Sequence, residues 1–355
     1  MEKLKRILTV SVLAVILVGG MVLHAVLPDG AVSKAERRKL FQFADISWAT
    51  SEDLEEYLLD QFPLRDGFRT VKSFWTYYVL GQKDNNGILL ENGSAAKIEP
   101  TLDEKQVQLF IKKFSDLQKK HFSDSKAVCA VIPDKAYFMN GPRMDDAKLL
   151  TMLEAGLADM DVRGDLFEAL SLQDYYATDS HWRQERLQPV LDVLAEALDI
   201  RLPEVETYNQ TVLNGFYGVY YGQAALPMAA EDLIYLQNDV TANSIVTGPE
   251  LKGEQPIYAP EKFDGMDGYD VFLHGAQAVQ KLDNPLAETD RELLLFRDSY
   301  GSSVAPLLLP AYKTITLVDM RYVNPMVLGQ FVDFHGQDVL ILYSTTLING
   351  AGVLQ

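Results

Sequence analysis

The chain has 355 residues, a formal net charge of −18 at pH 7 and one cysteine. Such a negative charge argues against a nucleic-acid partner and against adhesion to anionic lipid through a basic patch. A single Cys129 excludes an intrachain disulfide, so a packed core must stabilise the protein. Cys129 lies in the apolar run 127–132, which predicts a buried strand in which the thiol is a small hydrophobic group.

The first part of the chain is basic and then strongly apolar. Lys3, Lys5 and Arg6 precede residues 7–28, which contain no formally charged side chain. About 20 apolar residues in a helix span the hydrocarbon core of a bilayer, and the positive-inside rule places the N-terminus in the cytoplasm. We therefore predict a signal anchor over residues 1–28, giving a single-pass protein of the cell membrane whose C-terminal part is extracellular. A cleaved signal peptide, which would release a secreted protein, is the alternative.

Residues 29–100 predict a helical juxtamembrane segment with a small hairpin. The acidic turn that starts at Ser51 predicts the first helix, and an amphipathic stretch over 68–80 predicts the second. The turn signal at 84–87 and the short apolar run 88–90 are typical of a β-hairpin.

Residues 101–355 alternate between helix and strand patterns and predict an α/β domain. Apolar residues at helical spacing predict helices over 107–121 and 147–157, and a third that carries Leu187 to Leu198. A further strand is expected near Asp161. The segment 201–270 predicts an irregular, partly β insertion that covers the edge of the sheet.

Three continuous apolar runs in the last third of the domain are bounded by polar or glycine residues and separated by helix-length segments. This pattern is typical of strands buried on both faces of a parallel sheet that is flanked by helices. The runs are 293–296, 315–318 and 339–343.

Two short segments carry residues suited to catalysis, and the first is 178–182. A carboxylate two residues before a histidine can fold back to accept the imidazole Nδ1–H, which leaves Nε2 free as a base. Asp179 and His181 have this spacing. The alternative is that Asp179 or Ser180 only caps the following helix and that His181 is a surface residue.

The second segment, 296–303, follows an apolar strand and precedes an apolar helix. Ser299 would lie at the helix N-terminus, where free backbone N–H groups can stabilise an oxyanion. Asp298 or Ser299 could instead be no more than a helix cap, and Ser302 and Ser303 are weaker candidates because they lie inside the helix. Together the two segments supply the acid, base and hydroxyl of a serine hydrolase.

Short segments in the same order resemble those of the DHHW family. Its name-giving motif stands here as 179–182, with Ser180 in the place of the first histidine. The other segments that are similar to the family's motifs are 61–66, 271–275, 297–300 and 318–322. The family is related to alginate O-acetylation proteins, so the resemblance implies an SGNH-hydrolase-like domain.

The resemblance also implies the role of each residue. Ser299 would be the nucleophile, His181 the general base and Asp179 the group that orients it. Since the Asp-x-His pair precedes the serine, a permuted topology is implied. The family commonly has an asparagine after its Phe-Leu-x-Gly segment, where this chain has Ala276, and the loss of one oxyanion donor costs about 10²–10³ in rate.

Four residues are candidates for substrate or oxyanion contacts. Tyr300, Gly275 and Gln277 lie in or beside the matched segments, and Gln277 could replace the donor that Ala276 lacks. Arg321 could bind an anionic or hydroxyl-rich substrate, or form an ion pair with Asp319 or Asp298.

We therefore expect a membrane-anchored, extracytoplasmic O-acyl (acetyl) transferase or esterase that acts on cell-envelope polysaccharide. A transferase would need a membrane acyl-donor protein as partner. The alternative is a non-catalytic glycan-binding or scaffold protein with a degenerate site. The sequence predicts no cofactor and no metal site, because histidines at ligand spacing are too few.

Overall fold

Residues 2–33, 36–47 and 51–355 are described by the computed structural model, in which the chain divides into two units. The first unit comprises residues 1–85 and 221–227, and the second comprises residues 86–220 and 228–355.

The α-helices are α1 (Glu2–Val26), α2 (Ser51–Asp60), α3 (Arg65–Phe74), α4 (Glu104–His121), α5 (Asp146–Gly156), α6 (Leu166–Ala169), α7 (Gln188–Leu198), α8 (Val219–Ala224), α9 (Asp239–Asn243), α10 (Gly301–Leu308) and α11 (Thr345–Asn349). The strands are β1 (Val32–Ser33), β2 (Arg38–Lys39), β3 (Asp84–Asn85), β4 (Ile88–Glu91), β5 (Ser94–Lys97), β6 (Ala127–Ile132), β7 (Asp161–Arg163), β8 (Asn209–Phe216), β9 (Glu231–Gln237), β10 (Ile245–Thr247), β11 (Gln255–Pro256), β12 (Val279–Asp283), β13 (Glu292–Arg297), β14 (Thr314–Val318) and β15 (Asp338–Ser344).

The first unit contains the apolar helix α1. Within its residues Lys3–Val26, a window of 18 residues has a mean hydropathy of 2.4, so by length and composition α1 can cross a membrane. The two predicted juxtamembrane helices are present as α2 and α3. Helix α3 begins at Arg65, three residues earlier than predicted. The residue before it, Leu64, is in the left-handed conformation (φ 58°), so the irregular segment between α2 and α3 ends there. Helix α3 continues into one π-helical turn, Trp75–Val79.

The second unit is built on an eight-stranded sheet with the order β11-β10-β12-β14-β13-β15-β6-β7. The five strands from β14 to β7 run parallel, and β12, β10 and β11 are antiparallel to their neighbours. The three apolar runs are the adjacent strands β13, β14 and β15, which confirms the predicted parallel sheet. Cys129 is buried in β6, as expected, and burial raises the pKa of its thiol to about 12.

Helices cover both faces of the sheet. Alternate side chains of a strand point to opposite faces, and in β13 Leu295 packs in the cluster that includes residues of α7 and α10. Phe296 packs on the other face, in the cluster that includes residues of α4 and α5. Burial on both faces explains why these strands read as continuous apolar runs.

The segment 201–270 is more regular than the sequence indicates. Strands β8 and β9 form a separate two-stranded antiparallel sheet, while β10 and β11 extend the edge of the main sheet. The predicted turn at 84–87 has Asn86 and Gly87 at positive φ, and the run 88–90 that follows it forms β4. Strand β4 pairs with β5 across a second turn, which the sequence did not indicate, where Asn92 and Gly93 have positive φ as a two-residue hairpin turn requires.

Candidate active site

Ser299 lies just beyond the carboxyl end of β13, between that strand and α10. The preceding Asp298 accepts hydrogen bonds from the backbone N–H of Tyr300 (3.1 Å) and from that of Ser344 at the end of β15 (2.9 Å). Burial raises the pKa of the Asp298 carboxyl group. Asp298 therefore joins the turn that carries Ser299 to the neighbouring strand, and it does more than cap a helix.

The start of α10 packs closely on β13. A Cβ atom on Gly301 would lie 2.6 Å from the Cβ atom of Arg297, so a side chain at this position would push the helix away from the strand. Gly301 therefore fixes the position of the Ser299 turn relative to the sheet.

Asp179 and His181 lie on a tight loop that closes on itself. Tyr175 and Trp182 form an antiparallel bridge, and the backbone N–H of Tyr176 donates to the carbonyl of His181 (3.1 Å). The next helical element is a 3-10 turn, Gln184–Arg186, whose N-cap is Arg183, and α7 begins at Gln188 with Leu187 as its N-cap. The alternative in which Asp179 or Ser180 caps the next helix is therefore wrong.

The structure brings Asp179, His181 and Ser299 together. Nδ1 of His181 lies 2.6 Å from Oδ1 of Asp179, and Nε2 lies 2.7 Å from Oγ of Ser299. With the Nδ1–H donating to the carboxylate, Nε2 can accept the Ser299 hydroxyl proton. The second oxygen of Asp179 accepts the backbone N–H of Val219 (2.9 Å), which fixes the carboxylate.

The surroundings of His181 adjust its basicity and hold its ring. Burial lowers its pKa, but the charge and hydrogen bond of Asp179 raise it, with further contributions from Asp267 and Asp298, and the net shift of the pKa is upward. The ring of Tyr269 stacks on the imidazole at 3.9 Å with an angle of 9° between the planes. The imidazole is thus held in one orientation toward Ser299.

Solved structures of other proteins are similar to this chain. A DHHW family protein from Eubacterium siraeum matches over 76% of this chain and 94% of its own, with 18% identity and a TM-score of 0.63. The chain has the fold of that protein. PatB1 from Bacillus cereus matches over 74% of this chain and 97% of its own, with 15% identity and a TM-score of 0.58. PatB1 with a sulfonyl adduct matches at 16% identity, over 74% and 95% of the two chains, with a TM-score of 0.58.

No family model matches the sequence, and no curated protein matches it either. At these identities the similarity concerns the fold alone. It confirms the DHHW-like α/β fold that the short motifs implied.

The four residues that the sequence indicated for substrate or oxyanion contacts have different surroundings. Tyr300 is buried, and its hydroxyl group donates to the backbone carbonyl of Ser180 (2.6 Å). Arg321 donates two hydrogen bonds to the Asp319 carboxylate (2.9 and 2.6 Å), the ion pair that the sequence left as an alternative. Tyr300 thus joins the Ser299 turn to the Asp179–His181 loop, and Arg321 is engaged within the protein.

Gly275 and Gln277 lie in the loop that leads into β12. Strand β12 begins at Val279, which pairs with Val318 at the carboxyl end of β14, so this loop lies at the sheet edge from which the Ser299 turn also emerges. Gly275 has φ 89° and approaches Asp270 closely. The Oε1 atom of Gln277 is buried without a hydrogen-bond partner among the described residues.

Sequence reasoning missed the buried Lys135, which follows β6. Its Nζ donates to the carbonyl oxygens of Tyr176 (2.6 Å), Ala177 (2.8 Å), Asp179 (3.3 Å) and Ala95 (2.7 Å). Burial lowers the pKa of Lys135 to about 7. The four carbonyl acceptors oppose this effect and favour the ammonium form, because a neutral amine has only two N–H groups to donate. Lys135 therefore fixes the backbone that carries Asp179. A lysine just after a buried strand is the only signal of it in the sequence.

Two further residues hold the same loop from the 201–270 segment. The Glu231 carboxylate accepts the backbone N–H groups of Ala177 (2.8 Å) and Thr178 (2.9 Å). A Cβ atom on Gly218 would lie 2.2 Å from the Cβ atom of Asp179, so only glycine allows this close approach. The segment thus contributes to the site as well as to the edge of the sheet.

Ser303 joins the aromatic residues around His181. Its Oγ accepts hydrogen bonds from Trp182 Nε1 (2.8 Å) and from the Tyr269 hydroxyl group (2.7 Å). We expect Ser303→Ala to lower the free energy of unfolding by about 2–4 kcal/mol, because two buried donors would lose their acceptor. The measurement is the urea midpoint of the detergent-solubilised chain. Ser302→Ala, in the same helix, is the control, and equal midpoints for the two variants would contradict the expectation.

Proposed function

We propose that the chain is a serine O-acyltransferase or esterase, and that Ser299, His181 and Asp179 form its catalytic triad. The observation that supports this most directly is the distance of 2.7 Å between Nε2 of His181 and Oγ of Ser299, with Asp179 on the opposite ring nitrogen. Such an arrangement activates a hydroxyl group that is a weak nucleophile on its own.

In the proposed reaction, Oγ of Ser299 attacks the acyl carbonyl carbon while His181 takes the hydroxyl proton. The tetrahedral intermediate collapses to an acyl-serine as His181 gives that proton to the leaving alcohol. A sugar hydroxyl or water then attacks the acyl carbon, His181 takes its proton, and the proton returns to Ser299. We assign the backbone N–H of Ser299 and the Gln277 amide as the oxyanion donors, because the N–H groups of Tyr300 and Gly301 already donate to Asp298.

The motif resemblance to a family related to alginate O-acetylation proteins supports acetyl as the acyl group and cell-envelope polysaccharide as the acceptor. A membrane acyl-donor protein would supply the acetyl group to a transferase. We place the α/β domain, residues 101–355, outside the cell, joined by the juxtamembrane segment 29–100 to a single-pass anchor over residues 1–28. The length and apolar composition of α1 support this arrangement.

A second candidate function is that of a non-catalytic glycan-binding or scaffold protein. It is favoured by Ala276, which lacks the amide that the resemblance leads us to expect at this position. In this case the chain would bind a polysaccharide but form no acyl-serine.

The test is covalent labelling of the detergent-solubilised full chain with an arylsulfonyl fluoride, combined with acetate release from a chromogenic acetyl ester. We expect one sulfonyl adduct on Ser299 and loss of ester hydrolysis on labelling. Ser299→Ala should show neither activity nor adduct, while Ser302→Ala, the matched control, should retain both. An unlabelled wild-type chain that hydrolyses the ester no faster than Ser299→Ala would leave only the second candidate function.

A further inference from the structure

Helix α3 and the π-helical turn that follows it have an inverted distribution of polar and apolar side chains. A helix of a soluble protein normally turns its apolar face inward. Exposed polar residues such as Asp66 are present, but six large apolar or aromatic side chains are also half exposed or more. They are Phe68, Val71, Phe74, Trp75, Tyr78 and Val79, which we call the outer stripe.

The spacing of the outer stripe is regular. Successive turns of the helix place its members three or four residues apart, with the neighbours 74 and 75 and the neighbours 78 and 79 side by side, so they lie on one side of the helix. Contiguous apolar surface of this kind is rare on a soluble monomer and marks a contact with a protein or a membrane.

The opposite side of the helix is polar and faces the rest of the first unit. Ser73 is buried and accepts a hydrogen bond from Asn85 Nδ2 (2.9 Å). Arg65 and Arg69 form ion pairs with Glu36 at 2.7 and 3.1 Å. These contacts fix the rotation of α3 about its axis. Because the polar side chains find their partners inside the first unit, the outer stripe must face away from it.

The position of α3 relative to α1 indicates what covers the stripe. Nδ1 of His24, in the last turn of α1, lies 3.1 Å from the carbonyl oxygen of Gln61, and the two rings of His24 and Tyr57 are 5.4 Å apart. A Cβ atom on Gly20 would lie 3.8 Å from the ring of Phe62. The chain therefore enters α3 beside the C-terminal end of α1, the end that we place at the outer surface of the membrane.

We propose that α3 and its π-helical turn lie in the outer headgroup region of the lipid bilayer, with the outer stripe buried among the lipids. Tryptophan and tyrosine are enriched at this level because their rings have an apolar body and a polar tip, and Trp75 and Tyr78 suit it. Arg65 and Arg69 are paired within the protein and the chain is acidic, so the contact depends on apolar burial and does not require anionic lipid. This contact gives the first unit a second attachment to the membrane, in addition to α1.

The test uses the full chain in phosphatidylcholine nanodiscs with one spin label for each variant. The single native Cys129 is buried and is replaced by alanine in all of them. Labels at Val71→Cys and Tyr78→Cys report on the stripe. Asp66→Cys, an exposed position on the same helix, is the matched control, and Val15→Cys reports on α1. Accessibility to oxygen, which dissolves in lipid, is compared with accessibility to a water-soluble nickel chelate.

We expect the oxygen-to-nickel ratio at Val71 and Tyr78 to exceed that at Asp66 several-fold, and to be unchanged when a third of the lipid is phosphatidylglycerol. Ratios equal to that of Asp66 would overturn the proposal. Labels shielded from both reagents, or dipolar broadening between two copies in one disc, would also overturn it in favour of a protein contact. A label at Val15 that is accessible to the nickel chelate would show that α1 does not span the membrane, and would overturn the proposal together with the anchor on which it rests. Thermal melting of each variant shows that the fold is kept.

Discussion

Asp179→Asn is expected to lower kcat/KM for acetyl ester hydrolysis by about 10³–10⁴ at the pH optimum. The Asp179 carboxylate accepts the Nδ1–H of His181, which leaves Nε2 as the base that faces Ser299. An asparagine amide can donate to Nδ1 instead, and the proton would then stay on Nε2, where it prevents general-base catalysis. The measurement is the rate of acetate release by the full chain as a function of pH.

The pH profile distinguishes this role from a general loss of structure. His181 must be neutral to act as a base, so kcat/KM should rise with pH and reach a plateau above the pKa of His181, which Asp179 helps to raise. Without the carboxylate this pKa falls, so the acidic limb of the Asp179→Asn profile should move to lower pH. Asp116→Asn, on an exposed ion pair with Lys112, is the control and should leave rate and profile unchanged. A full rate in Asp179→Asn would rule out the triad.

Lys135→Met is expected to lower the free energy of unfolding by about 2–4 kcal/mol. Methionine fills a similar volume but donates no hydrogen bond, so carbonyl oxygens that now accept from the ammonium group would be buried without a donor. Since one of the four acceptors is the carbonyl of Asp179, the position of the carboxylate should also become less well defined. We expect kcat to fall by more than KM changes.

The measurements are the urea midpoint of the detergent-solubilised chain and its ester kinetics. Lys112→Met removes a lysine from an exposed position and is the matched control, for which a change within about 0.5 kcal/mol is expected. Lys135→Gln keeps two N–H donors and should recover part of the stability. A Lys135→Met chain with wild-type stability and kcat would show that the buried ammonium group does not support the loop.

The elements that are easiest to predict from the sequence have a pattern that is local and unambiguous. The runs that form β13, β14 and β15 are apolar throughout because both faces of each strand are covered. Asp179 and His181 are two residues apart, so their hydrogen bond needs only a loop that folds back. For these features, local pattern and tertiary structure agree.

Other features depend on contacts between residues far apart in the chain. His181 and Ser299 are separated by 118 positions, and their approach is decided by which strands pair in the sheet. Lys135, Gly218 and Glu231 have no motif of their own. Each acts on the Asp179 loop from another part of the chain: Lys135 and Glu231 bind backbone groups that any sequence possesses, and Gly218 leaves room for Asp179. Apart from the position of Lys135 just after a buried strand, no pattern of residue types indicates them.

By itself the sequence determined that residues 7–28 are apolar enough to cross a membrane as a helix and that a parallel α/β domain follows, and it supplied the side chains that we propose for acyl chemistry. Only the tertiary structure decided how these parts are oriented. The helical period of residues 68–80 is plain in the sequence, but periodicity defines two faces without saying which is inside. The ion pairs of Arg65 and Arg69 with Glu36 bury the polar face of α3 and turn its apolar face outward.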